Sequence, residues 1–451
     1  MTASLSRKRK SCSTNDGTFT TDNDILVGKD GTQWTVILQD HMHRGRINSH
    51  NVFSAKPGPT SFAKRQVETD NALSSLFLFI DKFIIEHIVE CTNTEARLKR
   101  NDDSFVVSKD DILKFIGISY VRGIVLKGVP TKTIWSLKWG SPMLRKLMSR
   151  DKYYNMLKYI RFDKKSSRSE RLKNDKFALF STVWDRFIEN CSSNYIPSDC
   201  ITVDEQLFPT KARCRFTQYM ASKPDKFGIK FWLAVDVKTK YLLNGFPYLG
   251  KDVQRPKDEP VSENVVMKLL NPYQGKGRNV TCDNFFTSVN LAKRLAAKKT
   301  SIVGTVNKSG REVPQQIKTM KASLYSSTVL KNDTCTLTVY QGKVAKNVLL
   351  LSTMHNYITF SDGRKKLPET VAYYNATKFG VDILDQMARK YSTKVSCRRW
   401  PLQVFYNLLD FAAINSHIIY KEVTNEKLSR REFIQKLIEE ICGTNQGTVH
   451  G

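Results

Sequence analysis

From Leu73 onward apolar residues recur three or four apart, so that Leu76, Phe79, Ile80, Phe83, Ile84 and Ile88 share one face of a helix with polar residues between them. The pattern continues. Asp110-Asp111 opens a helix carrying Ile112, Phe115, Ile116, Ser119 and Tyr120, and Ser149 is placed to cap the one that holds Tyr153, Leu157 and Ile160. At Cys200 the period shortens to that of strands: Ile201-Thr202-Val203 runs into Asp204, 228–236 is a mostly apolar buried strand, 237–240 a turn, and 241–248 the returning strand. A helix over 262–270, a strand over 279–282 ending at Asp283, a helix over 288–297 and a strand over 301–306 complete an α/β core. Between 307 and 368, Cys335, Leu337 and Val339 alternate with Thr334, Thr336 and Thr338, which predicts a β-rich insertion. Helix resumes over 381–387, and again from Trp400-Pro401, where proline suits a first turn, through Phe405, Leu408, Leu409, Ala412 and Ile419. Ser429 and Glu432 form a capping box for a last helix that Gly443 ends.

The first 72 residues carry no sustained period, are rich in Ser, Thr, Asp, Asn and Gly, and read as a mostly disordered leader. Within them Arg7-Lys8-Arg9-Lys10 is a short cationic block of the kind read as a nuclear signal, although such a block also occurs by chance.

Charge changes the picture more than length does. The 72 Lys and Arg against 43 Asp and Glu give a net charge of +29, a field that draws polyanions and makes nucleic acid the expected partner. A solubilising basic surface or an anionic membrane surface is the alternative. No apolar run approaches the roughly 20 residues needed to span a bilayer. Basic residues crowd 145–165, as a helical unit gripping phosphates would require, while singly each also suits a solvated helix face. The nine cysteines are far apart with no C-x-x-C pair, so they read as reduced thiols and no zinc site is expected.

Cutting a phosphodiester requires charge neutralisation between attacking and leaving oxygens, which two divalent cations supply when a few carboxylates from separate elements hold them. Asp204 and Asp283 end predicted strands and Asp382 lies on a later helix. On pattern alone an aspartate at a strand end serves a turn as readily as a metal. The chain carries no G-x-x-x-x-G-K-[ST], G-x-G-x-x-G, G-x-S-x-G or H-E-x-x-H motif, so no competing chemistry is visible.

At these residues the sequence resembles the piggyBac-type transposases. The first matching block is Ile201 to Gln206 (ITVDEQ), with Arg213, Arg215-Phe216, Gln218-Tyr219-Met220, Lys223-Pro224 and Lys226-Phe227-Gly228-Ile229-Lys230. Asp283-Asn284-Phe285-Phe286-Thr287-Ser288 with Gly304-Thr305-Val306 resembles the second. Tyr374-Asn375, Gly380-Val381-Asp382, Asp385-Gln386, Arg399-Trp400-Pro401 and Ile414-Asn415-Ser416 resemble the third. The resemblance implies an RNase H-like α/β core, a mixed sheet with flanking helices, interrupted by the β-rich insertion and joined to a mostly helical DNA-binding and dimerisation domain. It implies Asp204, Asp283 and Asp382 as catalytic, metal-binding residues for two Mg or Mn ions, with Asp385 as an auxiliary acidic residue. Glu205 stays outside the site, because successive side chains of a strand point to opposite faces.

The implied organisation is a leader over 1–72, a helical domain over 73–199 and 392–442, a catalytic core over 200–306 and 369–391, an insertion over 307–368 and a tail over 443–451. The implied activity is metal-dependent cut-and-paste cleavage and transfer of double-stranded DNA, at transposon ends flanked by TTAA, by a nuclear homodimer. The alternative is a domesticated, catalytically silent nuclear DNA-binding protein. Members of the family commonly end in a Cys/His-rich zinc domain, whereas the last stretch here holds only Cys442 and His450.

Overall fold

In the computed structural model the described residues are 24–38, 52–101, 104–251, 255–344 and 346–443. The basic block at 7–10 and the tail beyond 443 lie outside them. Among the described residues thirteen strands follow in chain order. They are β1 (Ile25–Val27), β2 (Gln33–Ile37), β3 (Gly58–Pro59), β4 (Tyr195–Ile196), β5 (Cys200–Pro209), β6 (Thr217–Tyr219) and β7 (Phe227–Asp236), then β8 (Leu242–Pro247), β9 (Asn279–Cys282), β10 (Ser301–Thr305), β11 (Ser327–Lys331), β12 (Thr336–Lys343) and β13 (Lys346–Ser352). The chain divides into two units.

The first unit comprises Met1–Ala55, Asp199–Val203 and Arg255–Phe379. Its strands lie in the order β1-β2-β11-β12-β13-β10-β9-β5. β10 and the start of β5 run parallel to β9, while the β10–β13 and β11–β12 pairs are antiparallel, so the sheet is mixed. The parallel pair β9–β10 requires a crossover, and the helix Val289–Ala297 provides it, capped by Ser288 accepting from the Leu291 N–H. The strands of the expected insertion are joined edge to edge to the core strand β10 through β13. Val303, Tyr340, Leu350 and Val371 form a core cluster between this sheet and the helix Glu369–Thr377.

The leader departs from expectation. Its strand Gln33–Ile37 pairs antiparallel with β11 through Thr35, Val36 and Ile37, nearly 300 residues upstream of their partners, and Trp34 is fully buried with its indole N–H donating to the Glu312 carbonyl at 2.8 Å. A period of two over five residues is too short to register when the partner strand is so remote.

The second unit comprises Lys56–Ser198, Asp204–Gln254 and Gly380–Gly451. It is largely helical, with β8 and β6 flanking β7 in antiparallel register. Helices Ser61–Gln66 and Ala72–Phe77 begin before the expected start at 73, capped by Thr60 and Asn71. Ser149 accepts from the Lys152 N–H as its position predicts, and Ser429 and Glu432 form the reciprocal pair of a capping box. The 25-residue helix Trp400–Thr424 is buried on nearly every face, which its apolar composition allows only in the centre of a domain. Asn415, fully buried on that helix, both accepts from the Leu242 N–H and donates to its carbonyl, each at 2.9 Å, and so ties the helix to β8.

Candidate catalytic site

In the first unit the parallel register of β5 and β9 sets Val203 opposite Cys282. Asp204 is the next residue of β5, and Asp283 follows the last residue of β9. Asp283 opens a tight turn: its carboxylate accepts from the Phe285 N–H at 3.0 Å, and its carbonyl accepts from the Thr287 N–H and hydroxyl. Gly304 of β10 passes so near this turn that a Cβ there would lie 2.1 Å from Thr287 Oγ1 and 2.8 Å from the Cys282 carbonyl oxygen. The buried hydroxyls of Thr202 and Thr281 fix the strands beneath, both reaching Thr377 at the end of its helix, through the carbonyl at 2.7 Å and the hydroxyl at 2.8 Å.

Asp204 is not the terminal residue of its strand, as sequence reading placed it. β5 continues to Pro209, and Asp204 accepts from the Glu205 N–H at 2.8 Å. In the second unit Asp382 stands in the first turn of the helix Gly380–Lys390, where the dipole favours a carboxylate. Lys223 connects two acids here. Its ammonium is 3.9 Å from Asp382 Oδ1 and 3.7 Å from Glu205 Oε1, and Lys230 lies 3.8 Å from the other Glu205 oxygen. Glu205 therefore shares a cation with Asp382 even though its strand position keeps it from Asp204, because a lysine stem can span the gap. No spacing rule identifies that link, and in the sequence Lys223 stands out only as part of a block that resembles the family.

Asp385, one turn along from Asp382, is engaged differently. It accepts from Gln206 Nε2 and from Arg389 Nε, each at 2.8 Å. Gln206 is locked in turn by a reciprocal amide pair with buried Asn407. Arg389 also grips Asp225 at 2.6 Å; burial works against its cation, but Asp385 and Asp225 raise its pKa. Asp385 thus has the partners of a residue that anchors the helix carrying Asp382.

The Lys223 ammonium is a cation drawn to the Asp382 and Glu205 carboxylates. Among the described residues no group of three or more His, Cys, Asp or Glu side chains is close enough to hold an ion, and no helix is long and apolar enough to cross a membrane.

A family model described as Transposase IS4 matches residues 73–417. Two human proteins are similar: piggyBac transposable element-derived protein 3 at 24% identity over 380 residues, and piggyBac transposable element-derived protein 2 at 21% over 365. These alignments cover 77% and 76% of this chain but only 61% and 60% of the relatives. A piggyBac transposase, solved by cryo-electron microscopy as a synaptic complex with hairpin DNA, is 34% identical, with a TM-score of 0.81 over 88% of this chain and 85% of that one. The fold is that of the RNase H-like transposases: a mixed sheet with flanking helices.

Proposed function

Since the chain belongs to the transposase family, of the piggyBac type, we propose that it cuts and rejoins double-stranded DNA with Asp204, Asp283 and Asp382 as its catalytic carboxylates. The observation that carries this reading is the single family match across 73–417, which spans all three aspartates and the helices on both sides of them. The substrate is duplex DNA at transposon ends flanked by TTAA, the working form a homodimer, and the compartment the nucleus. The net charge of +29 suits a polyanionic substrate.

The three aspartates would hold two Mg or Mn ions, whose chemistry when bound is to activate the attacking oxygen and neutralise the leaving one. The remaining work falls to the chain. Gln206 and Arg389 hold Asp385, so the first turn of its helix presents Asp382 in a fixed orientation. Thr202 on β5 and Thr281 on β9 fix the backbone that leads to Asp204 and Asp283. Lys223 holds the Asp382 and Glu205 carboxylates while no divalent cation competes for them.

The test compares wild type with D204N, D283N and D382N on transposon-end duplex, measuring Mg-dependent cleavage beside affinity without metal. Each variant keeps its size but loses an anionic ligand, so cleavage should fall at least a hundredfold while affinity holds or rises. Undiminished cutting by any one would remove that residue from the site. The names of the human relatives favour a second reading, a transposon-derived DNA-binding protein without cleavage activity. In that case wild type binds duplex and does not cut it.

A further inference from the structure

In the helical unit a cleft of about 330 Å³ is lined by five arginines, Arg161, Arg168, Arg213, Arg398 and Arg399, and by a single carboxylate, Asp163. That carboxylate is already satisfied. Arg168 grips it through two N–H donors at 2.7 and 3.0 Å, and Arg171 adds a third at 3.2 Å. Two other arginines are fixed in place: Arg399 donates to the carbonyls of Leu157 and Ile160, and Arg161 donates to Ile160 and pairs with Glu95 at 2.7 Å. Arg213 and Arg398 are exposed and have no hydrogen-bond or ion-pair partner among the described residues.

We infer that this cleft is a phosphate-binding site in which Arg399 and Arg161 form the fixed base and Arg213 and Arg398 close on the anion. Guanidinium forks match phosphate oxygens in pairs, and two unpaired forks beside fixed ones supply more donors than the protein itself uses. Burial, followed by the repulsion of Arg161, lowers the Arg399 pKa to about 10, so the cleft holds cationic charge that a bound anion would relieve. Trp400, stacked on Phe177 at 5.3 Å, gives the cleft one rigid apolar wall. The phosphate can be a phosphodiester of duplex DNA or a free anion. The first source rests on the transposase reading and the second does not.

The experiment uses the full chain in EDTA, so neither arm depends on strand cleavage. Pyrophosphate binding is measured by calorimetry, and binding of a duplex of arbitrary sequence by fluorescence anisotropy across a salt series, for wild type, R213Q, R398Q and the double variant. The double variant should lose pyrophosphate affinity about tenfold, or bind duplex more weakly with a log K against log salt slope smaller by about one to two. Loss of pyrophosphate alone assigns a free anion, and loss of duplex alone assigns the DNA backbone. Unchanged binding in both arms overturns the site. A lowered melting temperature of the double variant would do so too, because it would show that these side chains hold the fold instead of a ligand.

Discussion

The Lys223 ammonium stands between two carboxylates, 3.9 Å from Asp382 and 3.7 Å from Glu205, and is about one quarter exposed. A unit charge at about 4 Å contributes on the order of 1 to 4 kcal/mol at effective dielectric constants between 80 and 20, so this ammonium opposes a second cation at Asp382.

Replacing it should therefore tighten metal binding. For Lys223→Gln we expect Mn²⁺ affinity, followed by electron paramagnetic resonance, to rise several-fold. Weaker binding in the variant would mean that the lysine orients the carboxylates more than it competes for them.

Asp410 makes stability depend on pH. Burial raises its pKa to about 7, against the opposing hydrogen bonds from the Thr393 N–H at 2.8 Å and the Ser392 hydroxyl at 2.7 Å. Between the unfolded value of about 4 and this folded value, the native state holds a proton that the unfolded state has released. Stability consequently declines as pH rises through that window. Asp410→Asn mimics the protonated form and should flatten the melting temperature between pH 4 and 7 while raising it near neutrality. A slope equal to that of wild type would contradict the assignment.

Gly304→Ala tests the close approach of β10 to the turn that begins at Asp283. A methyl 2.1 Å from Thr287 Oγ1 and 2.8 Å from a backbone oxygen forces the turn or the strand to move, which should cost about 1 to 3 kcal/mol in denaturant unfolding. An unchanged midpoint would mean that the turn yields freely.

What the sequence made legible was local. Ser149 and the Ser429–Glu432 pair cap helices where they were expected, because capping is decided within four residues. The expected strands over 228–236 and 279–282 match Phe227–Asp236 and Asn279–Cys282, since a short apolar run bounded by turn residues suits a buried strand. The apolar run stops at Asp204, but the polar Glu205 and Gln206 remain in the strand. They continue the strand because Glu205 meets Lys223 and Lys230, and Gln206 meets Asp385 and Asn407. Partners 18 to 201 residues away leave no local trace. The same holds for the early strands, where Ile25 and Val27 are exposed and Leu26, Trp34 and Val36 turn inward.

Those early strands bear on how the chain can be shortened. A leader without structure could be trimmed to residue 60 with the fold intact, but here β2 is the lateral neighbour of β11. Cutting it away would leave the amides and carbonyls of β11 that face β2 unpaired, along with a hole the size of an indole where Trp34 had been. A bare, flat strand of this kind recruits any extended peptide, most readily the same strand of another molecule. Trimmed preparations would therefore be expected to stick to themselves at concentrations where the full chain stays dispersed.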